Sequence, residues 1–264
     1  MPQHQSQFEL LGPADGVPVT FSHALGSDRQ AWRAQVAALS GCYRVLSYDI
    51  RGHGADTFDG AAKAPLDLDR LAQDVLDMWD ALGIQRSHFV GLSLGGCIGT
   101  ALALRAPQRL RSLVVANARL EMDEATSALW QQRSSAALAA GNLAAIAEPT
   151  VARWLTPGYA LAHPQPVEQL RSTFLATRAA GYAACAQALS AAHLEQGLAQ
   201  LEVPTLFISG QADLAVPTAL TLGYSQQNPA FKYQALEGSH LLAVENPSAF
   251  NAAVRNFIAG HNAD

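Results

Sequence analysis

A serine crowded by glycines, an aspartate that follows an apolar run and a set of eight histidines are the residues of this chain whose order could build a nucleophilic site. Ser93 lies in "GLSLG", residues 91–95, between a short apolar run, His88-Phe89-Val90, and an apolar pattern long enough for a helix. A serine hydroxyl is a weak nucleophile at neutral pH, so it needs a histidine to take its proton and a carboxylate to orient that histidine. The pattern G-x-S-x-G gains meaning where a strand feeds a helix. The serine then occupies a sharp turn, the glycines remove colliding side chains, and the helix start offers unpaired N–H groups to a developing anion. Without chemistry the same residues make a glycine-rich strand-to-helix turn, and the pentapeptide also occurs by chance.

Chain order selects the partners. In hydrolases of this pattern the order is serine, acid, histidine. His4, His23, His53 and His88 precede the serine, His163 and His193 fall in a helical stretch, and His261 lies at the C-terminus. His240, in "LEGSHLLAVENP", stands between the last candidate strand and the last helix and is the expected base. Asp213, in "SGQADLAVP", follows the strand "PTLFISG" and is the expected acid; Asp123 and Glu121, after "LVVANAR", are its rivals. An Asp in such a turn also serves as an ordinary Asx residue. Two backbone N–H groups should receive the oxyanion: that of Leu94, directly after the serine, and that of Leu25 in the loop "HALGSD". His23 is read as fixing that loop.

The elements that must hold these residues are legible in outline. Six runs read as strands, "PVTFSH" (18–23), "YRVLSYD" (43–49), "HFVGLS" (88–93), "RSLVVANA" (111–118), "PTLFISG" (204–210) and "KYQALEG" (232–238). Helical patterns lie over 28–40, 66–83, 94–107 and 246–261. In the second, Leu68, Leu71, Val75, Met78, Trp79 and Leu82 recur at spacings of three and four and form one apolar stripe. Such alternation predicts an α/β fold, a mainly parallel sheet with helices on both faces. It breaks between Leu120 and Leu201, where the chain is Ala-rich and helical, with Pro149, Pro157, Pro164 and Pro166 as breaks. The expected division is a core of 1–119 and 202–264 with a helical cap, 120–201, inserted between.

Composition narrows the class. The 264 residues are 49% hydrophobic and 15% charged, enough for one domain with a substantial core. A net charge of −5 with scattered Lys and Arg argues against nucleic acid and for a small-molecule substrate. No apolar stretch reaches a membrane span and the N-terminus, "MPQHQSQFELLG", carries no signal-like pattern, so the expectation is a cytoplasmic protein without membrane contact. Cys42, Cys97 and Cys185 offer neither a disulfide framework nor a zinc pattern, and Cys97 is read as core packing. No cofactor or metal is expected, and no feature sets an oligomeric state.

Taken together, "HALGSDRQAW", "YDIRGHG", "GLSLGG", "PTLFISGQADLAVP" and "EGSH" resemble the α/β-hydrolase fold over nearly the whole chain. That resemblance implies a cap inserted after the sixth strand and makes "YDIRGHG" a structural turn, with Asp49, Arg51 and His53 as scaffolding. The segment before "PVTFSH" is short for the usual N-terminal hairpin. "GLSLGGCIG" and the cap segments "LWQQR" (129–133), "AIAEPTVARWLTPGY" (145–159) and "GYAACAQAL" (181–189) are similar to 3-oxoadipate enol-lactonases. This implies a small ring ester with a carboxylate side arm, opened through an acyl-enzyme. The side arm wants a cation, and Arg133 and Trp130, three apart on one helix face, are the candidates, with Trp154 as a third contact or a core residue. Other esterases, lactonases and perhydrolases of this fold, and a small-molecule receptor built on it, remain alternatives.

Overall fold

A computed structural model describes residues 7–58 and 65–262. Seven strands form one sheet: β1 Phe8–Leu11, β2 Pro18–Ser22, β3 Arg44–Tyr48, β4 Ser87–Leu92, β5 Leu110–Ala116, β6 Thr205–Gly210 and β7 Lys232–Leu236. Their order across the sheet is β1-β3-β2-β4-β5-β6-β7, with β1 antiparallel to β3 and every other pairing parallel. The middle strands β4 and β6 are buried along their whole length, as near-continuous apolar runs covered on both faces should be.

Eleven α-helices are present among the described residues. They are α1 Arg33–Leu39, α2 Leu68–Ala81, α3 Leu94–Arg105, α4 Glu124–Ala140, α5 Ala144–Trp154, α6 Pro157–Ala162, α7 Pro164–Ala176, α8 Ala179–Ser190, α9 Thr218–Ser225, α10 Leu242–Glu245 and α11 Pro247–Ala259. Helix α2 shows why pattern becomes structure. Asp67 accepts from Arg70 N at 2.7 Å and caps the first turn, and Leu68, Leu71, Val75, Met78 and Trp79 bury one stripe. Trp79 Nε1 then donates to Thr20 Oγ1 of β2 at 2.9 Å, so the ring is both packed and hydrogen-bonded.

Sheet order fixes where a site can form. From β2 the chain moves outward to β3, then returns to place β4 on the other side of β2. The carboxyl ends of β2 and β4 therefore flank a topological switch point, where open parallel sheets leave a crevice. Leu25 follows β2 and Ser93 follows β4.

Three expectations are adjusted. Strand β1, over residues that carried no strand expectation, pairs with β3 as a single antiparallel edge strand. Because one strand stands where a hairpin was the reference, the helical insertion follows the fifth strand of the described sheet and not the sixth. Pro149 lies inside α5 and does not end it, whereas Pro157 and Pro164 occupy the first positions of α6 and α7, where a missing N–H costs nothing.

Helices α4 to α8 lie between β5 and β6, two hydrogen-bonded neighbours. The chain leaves and returns through a narrow neck: Leu194 N donates to Leu120 O at 2.9 Å, Met122 N to Ala192 O at 3.1 Å, and Glu121 and His193 form an antiparallel bridge. The turn after β3 props this layer. Asp49 accepts from the N–H groups of Arg29 and Ala55, each at 2.9 Å, and Arg51 makes a buried two-pronged ion pair with Asp74. A Cβ on Gly52 would collide with the backbone of Gly181 in α8, so two glycines allow turn and helix to touch. No described helix is long and apolar enough to cross a membrane.

Candidate active site

Ser93 has φ 56 and ψ −114, a region that non-glycine residues rarely occupy and that stores strain of order 1–3 kcal/mol. Its surroundings hold it there. Ser93 N donates to Ala116 O at 2.9 Å, Gly95 N to His23 O at 3.1 Å, and Cys97 N to Ser93 O at 3.1 Å. Helix α3 starts so close to the sheet that a side chain on Gly91 would strike Gly95 O, and one on Gly95 would strike Ser22 O. The glycines of "GLSLG" are therefore demanded by space on both sides of the serine. As the first residue of α3, Leu94 has no intrahelical acceptor for its N–H.

His240 Nδ1 lies 2.8 Å from Asp213 Oδ2, with both side chains buried. The other carboxylate oxygen, Asp213 Oδ1, accepts from Ala215 N at 2.7 Å and Val216 N at 3.1 Å. Those bonds fix the carboxylate plane. The pairing makes Nδ1 the protonated nitrogen of the neutral ring and leaves Nε2 as an acceptor.

Ser93, His240 and Leu25 all line one cavity of about 280 Å³. Trp130, Arg133 and Trp154 line it too, so seven of the eight residues singled out from sequence converge on it or, like Asp213, on a residue that does. Leu94, fully buried, is not part of the lining; it follows Ser93 directly as the first residue of α3. Arg133 Nε donates to Tyr182 Oη at 3.0 Å and Nη2 to Thr150 Oγ1, and its guanidinium lies 5.5 Å from the Trp130 ring centre. Among the described residues Arg133 has no carboxylate partner. Arg119 and Arg153 also line the cavity, whereas among the described residues no Asp or Glu does. Trp154 is both core and cavity wall: it packs edge-on against Phe174, ring centres 5.5 Å apart, and lines the cavity.

The rivals stand elsewhere. Asp123 caps α4, accepting from Thr126 N at 2.7 Å, and this bond holds its carboxyl below the usual range. Glu121 pairs with His193 Nδ1 at 2.5 Å. His23 is fully buried, with Nδ1 on Ala24 O at 2.8 Å and Nε2 accepting from Ile50 N at 2.9 Å, which makes it a neutral fixture of the loop. Cys97 lines the cavity, but burial pushes its thiol up to about 12, so it stays protonated. His4 lies outside the described residues.

Asn117 escaped the sequence reading. It directly follows β5 with φ 46, donates from Nδ2 to Ser239 O at 3.0 Å and His240 O at 2.9 Å, and accepts from Gly210 N at 2.8 Å. One buried amide thus ties the ends of β5 and β6 to the histidine loop. The available signal was a lone Asn between Ala116 and Ala118 at a strand's carboxyl end, a residue type that tolerates positive φ.

With the serine turn, the His–Asp pair and the switch-point cavity in place, the class follows. The alpha/beta hydrolase fold pattern matches residues 17–247; the chain belongs to that family and is a hydrolase. Among relatives, it is 34% identical over 247 residues to 3-oxoadipate enol-lactonase 2 of Acinetobacter baylyi, covering 94% of this chain and 90% of that one. A Caulobacter protein named for carbamate hydrolysis is 31% identical, covering 96% of this chain and 94% of that one. The crystal structure of the enol-lactonase from Burkholderia xenovorans LB400 superposes with a TM-score of 0.91 at 34% identity, covering 96% of each chain.

Proposed function

We propose that this protein hydrolyses a small lactone carrying a carboxylate, with the 3-oxoadipate enol-lactone as substrate, through a serine acyl-enzyme. The observation that carries the reading is a guanidinium, Arg133, that has no carboxylate partner among the described residues and lies in the same cavity as Ser93 and the Asp213-paired His240. Ser93 Oγ attacks the lactone carbonyl carbon while His240 Nε2 takes its proton. The oxyanion is met by the N–H groups of Leu94 and Leu25. Collapse breaks the ring C–O bond, and the enolate leaves, takes a proton and becomes the ketone. Water, losing a proton to His240, then cleaves the acyl-enzyme and restores Ser93. The net reaction adds one water and leaves a second carboxylate.

Arg133 uses Nε and one Nη2 proton on Tyr182 and Thr150, which orients the remaining N–H groups of the planar fork toward a side-arm carboxylate. The likeness to the Acinetobacter baylyi 3-oxoadipate enol-lactonase and to the enol-lactonase structure supports this choice of substrate. The reading places no cofactor, nucleic acid or membrane in the reaction.

Initial rates on the enol-lactone, p-nitrophenyl acetate, an alkyl carbamate, and peroxide with acetate test it. The enol-lactone should be the best substrate by kcat/KM; a simple ester or the carbamate far ahead of it overturns the lactonase reading. Ser93→Ala should remove activity on all of them, and appreciable turnover by that variant overturns the site. Arg133→Gln should raise KM for the enol-lactone about 10- to 100-fold, the loss expected for a charge-assisted contact, and leave p-nitrophenyl acetate unaffected.

A further inference from the structure

Three ties fasten the segment that carries His240 to residues 153–156 of the helical insertion. Leu241 N donates to Trp154 O at 2.8 Å, and Ser239 Oγ lies 3.3 Å from Arg153 O. The third tie runs through a single carboxylate. Glu245, the last residue of α10, accepts from Ser239 N at 2.9 Å and, on the other side, from Thr156 N at 3.2 Å and from the Thr156 hydroxyl. Ser239 immediately precedes His240, and Thr156 follows α5, the helix whose Thr150, Arg153 and Trp154 line the cavity. Nothing in the lactone chemistry requires a carboxylate at this place, which is absent from the cavity lining.

We infer that Glu245 and Thr156 are a positioning pair that couples the seating of the helical insertion to the placement of His240. The inference rests on the reading of His240 as the base. Charge-assisted hydrogen bonds from both sides hold one carboxylate, so a displacement of the 153–156 segment is transmitted to the backbone N–H next to the histidine. Neither residue touches substrate; both act through His240.

The test uses p-nitrophenyl acetate, which does not engage Arg133, alongside the enol-lactone. Glu245→Ala should lower kcat on both about 10- to 100-fold, the factor corresponding to a lost charge-assisted hydrogen bond, with KM changed by less than about threefold. Thr156→Val should lower kcat in the same direction, and Thr156→Ser should restore it. The double variant Glu245→Ala/Thr156→Val should be no slower than Glu245→Ala alone, because both members serve one contact. Thr156 also accepts from Tyr159 N at 3.3 Å as the cap of α6, a purely structural bond whose loss moves Tm but not kcat measured below unfolding. Should Glu245→Ala not fold, Glu245→Gln and Thr156→Val carry the same comparison. Folded variants with wild-type kcat, or losses that multiply in the double variant, overturn the inference. Activity in Ser93→Ala would instead overturn the site reading beneath it, whatever the Glu245 variants do.

Discussion

At the scale of single residues, the groups proposed to react differ from those that aim them. Ser93, Asp213 and His240 can be nominated from sequence because chemistry fixes their types and chain order, and the structure pairs His240 with Asp213 and lines one cavity with His240 and Ser93. Asn117 cannot, because an amide that satisfies three backbone groups in two distant segments has no sequence spacing of its own; its partners lie about 90 to 120 residues away. Substitutions separate its two duties. Asn117→Gly keeps the φ of 46 accessible but abandons two carbonyls and one N–H, whereas Asn117→Ala adds backbone strain to the same loss. Both should lose about 1–3 kcal/mol of stability from the unsatisfied buried groups, with Ala the worse by about 1 kcal/mol, as read from urea midpoints. Both should also lower kcat, because the carbonyl of His240 itself is released. An Asn117→Gly protein with wild-type kcat would show that Asp213 alone suffices to aim the ring.

At the scale of elements, periodicity located the strands and helices that carry strong apolar patterns and failed where the pattern is weak. Strand β1, "FELL", is an edge strand of four residues with three exposed, so no alternation marks it. Pro149 in α5 reads as a break because proline is costly in a helix interior; the buried packing of Val151 and Trp154 overrides that local preference. The contact between Gly52 and Gly181 makes a sharp prediction at this scale. Alanine in place of glycine stabilises an ordinary helix interior by about 1 kcal/mol. Here Gly181→Ala should do the opposite and lower Tm, because its Cβ enters the backbone of the turn after β3. A raised Tm would show that the turn gives way without cost.

At the scale of the whole molecule, three buried histidines make stability depend on pH. Burial holds His53 down at about 3 and His88 at about 4, both below the ordinary 6.5, and His23 is lowered by the same cause. The unfolded chain therefore binds protons that the folded chain refuses. Their stabilisation is complete above about pH 6.5 and falls as pH drops toward the folded values, at up to about 1.4 kcal/mol per pH unit for each histidine. Urea midpoints should fall steeply from pH 6.5 to 5. Replacing His88 by Gln, which can still meet Ser112 and Asn262, should flatten that slope by about one histidine's share. An unchanged slope would remove His88 from the account. The neck at Leu120–Met122 and Ala192–Leu194 has a different consequence, for descent. Because the insertion begins and ends side by side above two neighbouring strands, a lineage can exchange it as one continuous piece of chain without shifting the register of the sheet. Selection for a new substrate then has a single segment to rewrite, provided each replacement still offers a donor where Thr156 meets Glu245.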